Sequence, residues 1–226
     1  MAIIVTGGAR SGKSSFAEKL AAKLGDSGLY IATAQIYDEE MRERVSSHQS
    51  QREEGSFPWT TREEPYALAA LLRRLAEHGG VGLGAEAAVP AAPRVSTAAD
   101  ATAASIAVTA PREAVVVLVD CLTLWLSNEL LRYAEGSPEV VPAVTAAIAD
   151  LVAAVAAYPY PLVLVTNEVG DGVVPPSPLG RLFRDLAGRL NQQLAAACSH
   201  VFLVTAGIPV ELKSIAFDLD NFTPNK

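Results

Sequence analysis

The sequence predicts an α/β fold in which a mostly parallel sheet is covered by helices on both faces. Short β-branched or apolar runs alternate with segments of helical periodicity, which is the pattern of strand–helix–strand units. The first such pair is joined by a glycine-rich run with the spacing GxxxxGK[ST]. The chain has 226 residues, 50% of them apolar and 19% charged, which suits one soluble domain with a substantial core. We read 1–226 as that single domain.

Taken in order, Ile3-Ile4-Val5 predicts the first strand, and after the glycine loop Phe16, Ala17, Leu20, Ala21 and Leu24 recur at helical spacing. Leu29 to Ala32 reads as a second strand. In the charged segment from Asp38 to Glu54, Met41, Val45 and His48 fall on one helical face. Tyr66, Leu68, Leu71, Leu72 and Leu75 mark another helix, with Glu63, Glu64 and Pro65 at its expected start. From about 79 to 112 the composition shifts to Ala, Gly, Pro, Ser and Thr, too poor in large apolar residues to fold firmly, and we expect a flexible insertion.

Val115 to Val119, ending in Asp120, reads as a buried strand, and Leu122 to Leu131 and Pro138 to Ala157 as helices. Pro161 to Thr166 is the next strand. It leads into the loop 167–172 at a strand's carboxyl end, where open α/β sheets place their ligand sites. Leu179 to Ala197 predicts a helix and Val201 to Thr205 a last strand.

The formal net charge of −7 lacks the cationic excess needed for general affinity to nucleic-acid backbones or anionic membranes. A small neutral or anionic substrate fits better, and a DNA-dependent ATPase fits poorly. Cys121 and Cys198 lie far apart and outside any CxxC spacing, so they suggest neither a disulfide framework nor a zinc site. Both read as buried thiols. Met1 to Thr6 has no signal-peptide character, and the runs Val115 to Val119 and Leu162 to Val165 are too short to cross a bilayer. A cytoplasmic protein without membrane insertion is expected.

The chemistry starts at Gly7, Gly8, Ala9, Arg10, Ser11, Gly12, Lys13 and Ser14. Between a strand and a helix, this run lets backbone N–H groups and a helix N-terminus face phosphates, as in ATP or GTP. Lys13 would reach the β and γ oxygens, and the Ser14 hydroxyl suits Mg²⁺. The plainer alternative is an ordinary tight turn before a helix. Asp120, ending an apolar strand, fits an acid that holds Mg²⁺ or its water shell, or else a helix N-cap. His48 has Arg44 and Arg52 four residues to either side, which disfavours the imidazolium and supplies donors for an anion. A neutral imidazole there can attack phosphorus, while its helical spacing equally allows a packed histidine. Glu168, in the loop 167–172, either contacts ligand or is solvated. His78 reads as a surface residue and His200 as the opening of a buried strand, neither with a role.

With these pieces in place, the chain resembles the bifunctional adenosylcobinamide kinase / adenosylcobinamide-phosphate guanylyltransferase family. The likeness rests on Val5 to Ser14, Tyr30 to Gln35, Asp38 to Met41 through Arg44-Val45 to His48, and Asp120 to Thr123. Thr166-Asn167-Glu168-Val169-Gly170, Val174-Pro175, Phe183-Arg184-Asp185, Gly188 to Gln192 and Ala206-Gly207-Ile208-Pro209 complete it. The resemblance implies a RecA-like P-loop NTPase fold and a homotrimer. It also implies phosphorylation of adenosylcobinamide, then transfer of GMP from GTP to adenosylcobinamide phosphate through a GMP–histidine at His48. It further implies nucleotide contacts at Ala32, Thr33, Ala34, Gln49, Ser50, Gln51, Arg52, Glu63 and Asp120. Ser47 stands where family members often carry a second histidine, and Gln49-Ser50-Gln51 replaces a more basic run. Two rival readings are a single-function P-loop small-molecule kinase and a non-catalytic GTP-binding regulatory module.

Overall fold

The computed structural model describes residues 1–35, 39, 55–79 and 115–219. Its strands are β1 (Ala2–Thr6), β2 (Ser27–Ala32), β3 (Trp59–Glu63), β4 (Val115–Asp120), β5 (Leu162–Val165), β6 (His200–Thr205) and β7 (Ile208–Glu211). The helices are α1 (Lys13–Ala21), α2 (Leu68–Glu77), α3 (Leu122–Leu131), α4 (Val140–Ala157) and α5 (Pro178–Ala197). The strands form one sheet in the order β3-β2-β4-β5-β1-β6-β7, and every neighbouring pair is parallel except β6 with β7. The result is the expected α/β fold class, a mostly parallel sheet with helices on both faces and a glycine loop between β1 and α1.

Period-two alternation splits each central strand between two cores. On one face lie Ile4, Leu29, Ile31, Val117, Val119, Leu162 and Leu164, packed under α2, α3, α4 and α5. On the other lie Val5, Tyr30, Val116, Leu118, Val163 and Val165, covered by α1 through Ala17 and Ala21. Strands apolar on both sides are what a parallel sheet sandwiched by helices requires. By length and composition alone, α4 is apolar enough to cross a membrane. Here its Val144, Ile148, Leu151 and Val155 are buried in the core under α2 and α5, and Asp150 on its outer side pairs with Arg73 of α2 at 2.5 Å.

Three local expectations change. The segment before α2 is a strand, β3, and Glu63 is its last residue rather than part of a helix start. β3 is an edge strand with exposed Thr60, Thr61 and Glu63, so no apolar alternation marks it. Glu64 does serve the helix, accepting a hydrogen bond from Ala67 N at 2.8 Å. The last strand is β7 rather than β6, and its exposed, proline-containing sequence Ile208-Pro209-Val210-Glu211 hides it in the same way. α4 begins at Val140 instead of Pro138, because residues before it turn on Ser137. His200 opens β6 as expected, yet its side chain is exposed and lies 3.7 Å from Glu211. The insertion at about 79–112 falls almost wholly outside the described residues.

Leu151 on α4 is fully buried. We expect Leu151→Ala to lower unfolding free energy by about 2–5 kcal/mol in urea titrations, whereas the exposed Ala153→Ser changes it by less than about 0.5 kcal/mol. A Leu151 loss as small as that of Ala153 would contradict the packing of α4 onto α2 and α5.

Candidate functional site

The glycine loop leaves β1 at the sheet's carboxyl edge and closes on α1. Gly7 packs so tightly that a β-carbon there would sit 2.4 Å from the Val204 carbonyl oxygen and 2.7 Å from Ser11 Oγ. Gly12 caps α1 at φ 91°, the left-handed region open to glycine, with no side-chain cap on the helix's first N–H groups. Three backbone bonds brace the loop: Ser11 N to Gly8 O (3.3 Å), Gly207 N to Ser11 O (2.8 Å) and Glu168 N to Gly7 O (3.1 Å). Gly8, Ala9 and Arg10 face outward, and Arg10 adopts φ 55° at the loop's turn.

Lys13 is buried, and its ammonium donates to Gly8 O at 3.1 Å. Burial lowers its pKa, with Cys121 and Asp120 pulling the other way. The Ser11 and Thr6 hydroxyl oxygens are buried and have no hydrogen-bond partner among the described residues. Helix N–H groups without a side-chain cap and a buried ammonium stand together where β1 meets α1, a set that fits a polyphosphate anion. The Ser14 hydroxyl and the Asp120 carboxylate supply the hard oxygen donors that suit Mg²⁺.

Asp120 is fixed by Tyr30, whose phenol donates to its Oδ2 at 3.1 Å. It is not the cap of α3: Cys121 holds that position in extended conformation, so the helix-cap alternative for Asp120 falls away. The Cys121 thiol is buried, and that burial pushes its pKa to about 11, leaving a neutral thiol beside the acid. It packs, as expected.

A belt of buried side chains joins the strand ends. Asn128 of α3 donates to Pro65 O (3.1 Å) and Thr33 O (2.8 Å). Thr33 Oγ1 donates to Cys121 O at 2.7 Å and accepts from Cys121 N at 3.0 Å. Thr123 Oγ1 lies 3.2 Å from Cys121 Sγ and accepts from Asn167 Nδ2 at 2.6 Å. Asn191 of α5 completes the chain, accepting from the Thr166 hydroxyl at 2.8 Å and donating to Asn167 O at 3.2 Å. Thr33 and Thr166 are completely buried, Asn128 and Thr123 nearly so. Glu168 turns its carboxylate onto Gly170 N at 2.6 Å, and Arg184 donates to the Gly170 carbonyl, so loop 167–172 is closed from within and from α5.

Of the residues expected to bind nucleotide, Gly7 to Ser14, Ala32, Thr33, Ala34, Glu63 and Asp120 all lie at the sheet's carboxyl edge. Four strand spacings of about 4.8 Å separate β1 from β3, so the cradle and Glu63 stand about 19 Å apart across that edge. His48, Gln49, Ser50, Gln51 and Arg52 lie outside the described residues. Asn128 escaped the sequence reading. Its signal is an amide in the otherwise apolar helix LTLWLSNELL, where a polar side chain turned inward requires a partner.

A family model described as cobinamide kinase / cobinamide phosphate guanyltransferase matches residues 3–83 and 94–212. The bifunctional adenosylcobalamin biosynthesis protein CobU of Escherichia coli K12 is 40% identical over 222 residues, covering 94% of this chain and all of that protein. The bifunctional adenosylcobalamin biosynthesis protein CobP of Pseudomonas aeruginosa PAO1 is 38% identical, covering 93% of this chain and 96% of its own. A looser likeness, at 13% identity and a TM-score of 0.43, runs to a type III secretion system ATPase, covering 91% of this chain and 51% of that one. The two matched stretches include the phosphate cradle, the acid at the end of β4 and the polar belt, and the chain belongs to the cobinamide kinase / cobinamide phosphate guanyltransferase family.

Proposed function

We propose that this chain catalyses both reactions of its family: phosphorylation of adenosylcobinamide by ATP or GTP, then transfer of GMP from GTP to adenosylcobinamide phosphate. The observation that carries this reading is the extent of the family match, which includes the cradle and the whole stretch around His48 and runs on to residue 212. Cradle and acid geometry support it independently.

Bound Mg²⁺, held by Ser14 and Asp120, would supply positive charge against the phosphate oxygens. The protein's own groups do the rest. N–H groups of Gly8 to Ser14 and the Lys13 ammonium grip the polyphosphate and stabilise the charge that develops on transfer. In the kinase step the substrate hydroxyl attacks the γ-phosphorus, and the bridging oxygen leaves on the nucleoside diphosphate. In the guanylyl step a neutral imidazole nitrogen of His48 attacks the α-phosphorus, a P–N bond forms, and the bond to the bridging oxygen breaks to release pyrophosphate. An oxygen of adenosylcobinamide phosphate then attacks the same phosphorus, the P–N bond breaks, and His48 is regenerated. Arg44 and Arg52 keep the imidazole uncharged and offer donors to the phosphates. Ala32 to Ala34, Gln49 to Arg52 and Glu63 contact the guanine nucleotide in this scheme. A homotrimer in the cytoplasm is part of the same reading.

Incubation with α-labelled GTP should leave label on the protein that is acid-labile and alkali-stable, and His48→Ala should carry none. Label on the variant equal to wild type, or none on wild type, overturns the histidine intermediate. A second expectation concerns Lys13: Lys13→Met should lower kcat for both transfers by about 10²- to 10³-fold, measured by pyrophosphate release and by ATP-dependent phosphorylation of adenosylcobinamide. Retention of either rate within twofold would remove Lys13 from the mechanism.

A further inference from the structure

Asn191 lies in the second half of α5, and its amide is engaged at both ends. Its oxygen accepts from the Thr166 hydroxyl and its nitrogen donates to the Asn167 carbonyl, at 2.8 and 3.2 Å. These two residues continue β5 past its last ladder position. There the chain is laced to β1 and the glycine loop, Thr166 N donating to Val5 O at 3.0 Å and Glu168 N to Gly7 O at 3.1 Å. On its other side, Asn167 Nδ2 holds Thr123 Oγ1 at 2.6 Å, and Thr123 touches Cys121, the neighbour of Asp120.

The segment 166–168 is therefore bonded both to the cradle at Gly7 and to the helix start behind Asp120. β5 lies between β1 and β4 in the sheet, with Val165 paired to both Val5 and Asp120, so this extension of β5 runs between the strand of the cradle and the strand of the acid. We propose that Asn191 is a positioning residue for phosphate transfer: by clamping Thr166 and Asn167 it sets the distance between the phosphate cradle and the Asp120 carboxylate.

A cradle displaced by a few tenths of an ångström relative to its acid still binds nucleotide, because most of the grip is backbone in Gly7 to Ser14. Transfer suffers instead, since it needs phosphate, metal acid and attacker aligned together. Asn191→Asp isolates the contribution. It keeps the size and the acceptor for Thr166 but replaces the donor to the Asn167 carbonyl with an oxygen that repels it. Asn191→Leu removes both bonds at similar volume.

The proposal rests on the family activity, and the test separates the two. Wild type, Asn191→Asp, Asn191→Leu and Leu194→Ala are assayed for both transfers with adenosylcobinamide and its phosphate, with active sites counted by nucleotide titration. Leu194, fully buried on the same helix, reports what loss of α5 packing does by itself. We expect kcat per active site to fall about 10- to 100-fold in both Asn191 variants, with the KM for GTP within about threefold of wild type. Leu194→Ala should lower the melting temperature while keeping wild-type kcat per site. Asn191 variants with unchanged kcat, or with a kcat loss matched by Leu194→Ala at equal destabilisation, overturn the positioning role. A wild-type protein without turnover overturns the family activity itself, and the positioning role with it.

Discussion

Parallel strands share a direction, so β1 to β6 all release their last carbonyl and N–H groups along one edge, and that edge must also stay open for substrate. Filling it with apolar side chains would strand those groups, and filling it with water would weaken every charge that acts on a phosphate. The belt from Asn128 through Thr33, Cys121, Thr123 and Asn167 to Asn191 meets both demands. Each side chain is short; Asn128, Thr33 and Asn191 satisfy backbone groups, while Thr123 and Asn167 satisfy one another. Replacing one member leaves a buried partner unpaired, which costs about 1–3 kcal/mol on its own account, so the belt constrains its members together.

The site's charges stand beside this belt. Lys13 loses hydration by burial, and Asp120 offsets part of that loss. The Cys121 thiol beside them stays neutral. The pair of opposite charges is thus held ready in a site of reduced dielectric, where both act more strongly on phosphate than they would in water. Tyr30 reaches across from β2 to hold Asp120 in place, so the acid's orientation depends on the same sheet that carries the cradle.

How much of this was legible in the sequence depends on how each feature is encoded. The glycine loop writes its geometry directly, because Gly7 has no room for a side chain and Gly12 needs a positive φ. The central strands show as continuous apolar runs since both their faces are buried, and Val115 to Asp120 is located to the residue. β3 and β7 carry no such pattern, because edge strands bury little and their pairing is decided by backbone bonds that any residue makes. The belt is illegible for another reason. Its threonines and asparagines are separated by up to 158 positions, from Thr33 to Asn191, and each is unremarkable alone; only the topology that sets β5 between β1 and β4 brings them together. Asp120 shows the limit of local reasoning in the other direction, since a residue before a helix suggests a cap, yet the helix starts one residue later and frees the carboxylate.

Two transfers on one cradle pose a geometric problem, because the γ- and α-phosphorus atoms lie at different depths along the same gripped polyphosphate. Backbone donors and Lys13 are fixed by the sheet and cannot move between the two, so the attacker has to change instead. In the kinase step it arrives with the substrate. In the guanylyl step as proposed, with His48 the attacker, it belongs to a connection between strands that starts at the sheet's carboxyl edge. The connection from β2 to β3 meets that requirement: it leaves the sheet after Ala32, at the same carboxyl edge as the cradle, and has 26 residues in which to return to the start of a parallel neighbour. His48 lies on that connection. A crossover of this length is about twice what parallel pairing needs at minimum, and in the proposed mechanism that surplus length lets an attacker be supplied from outside the strands that bind the nucleotide.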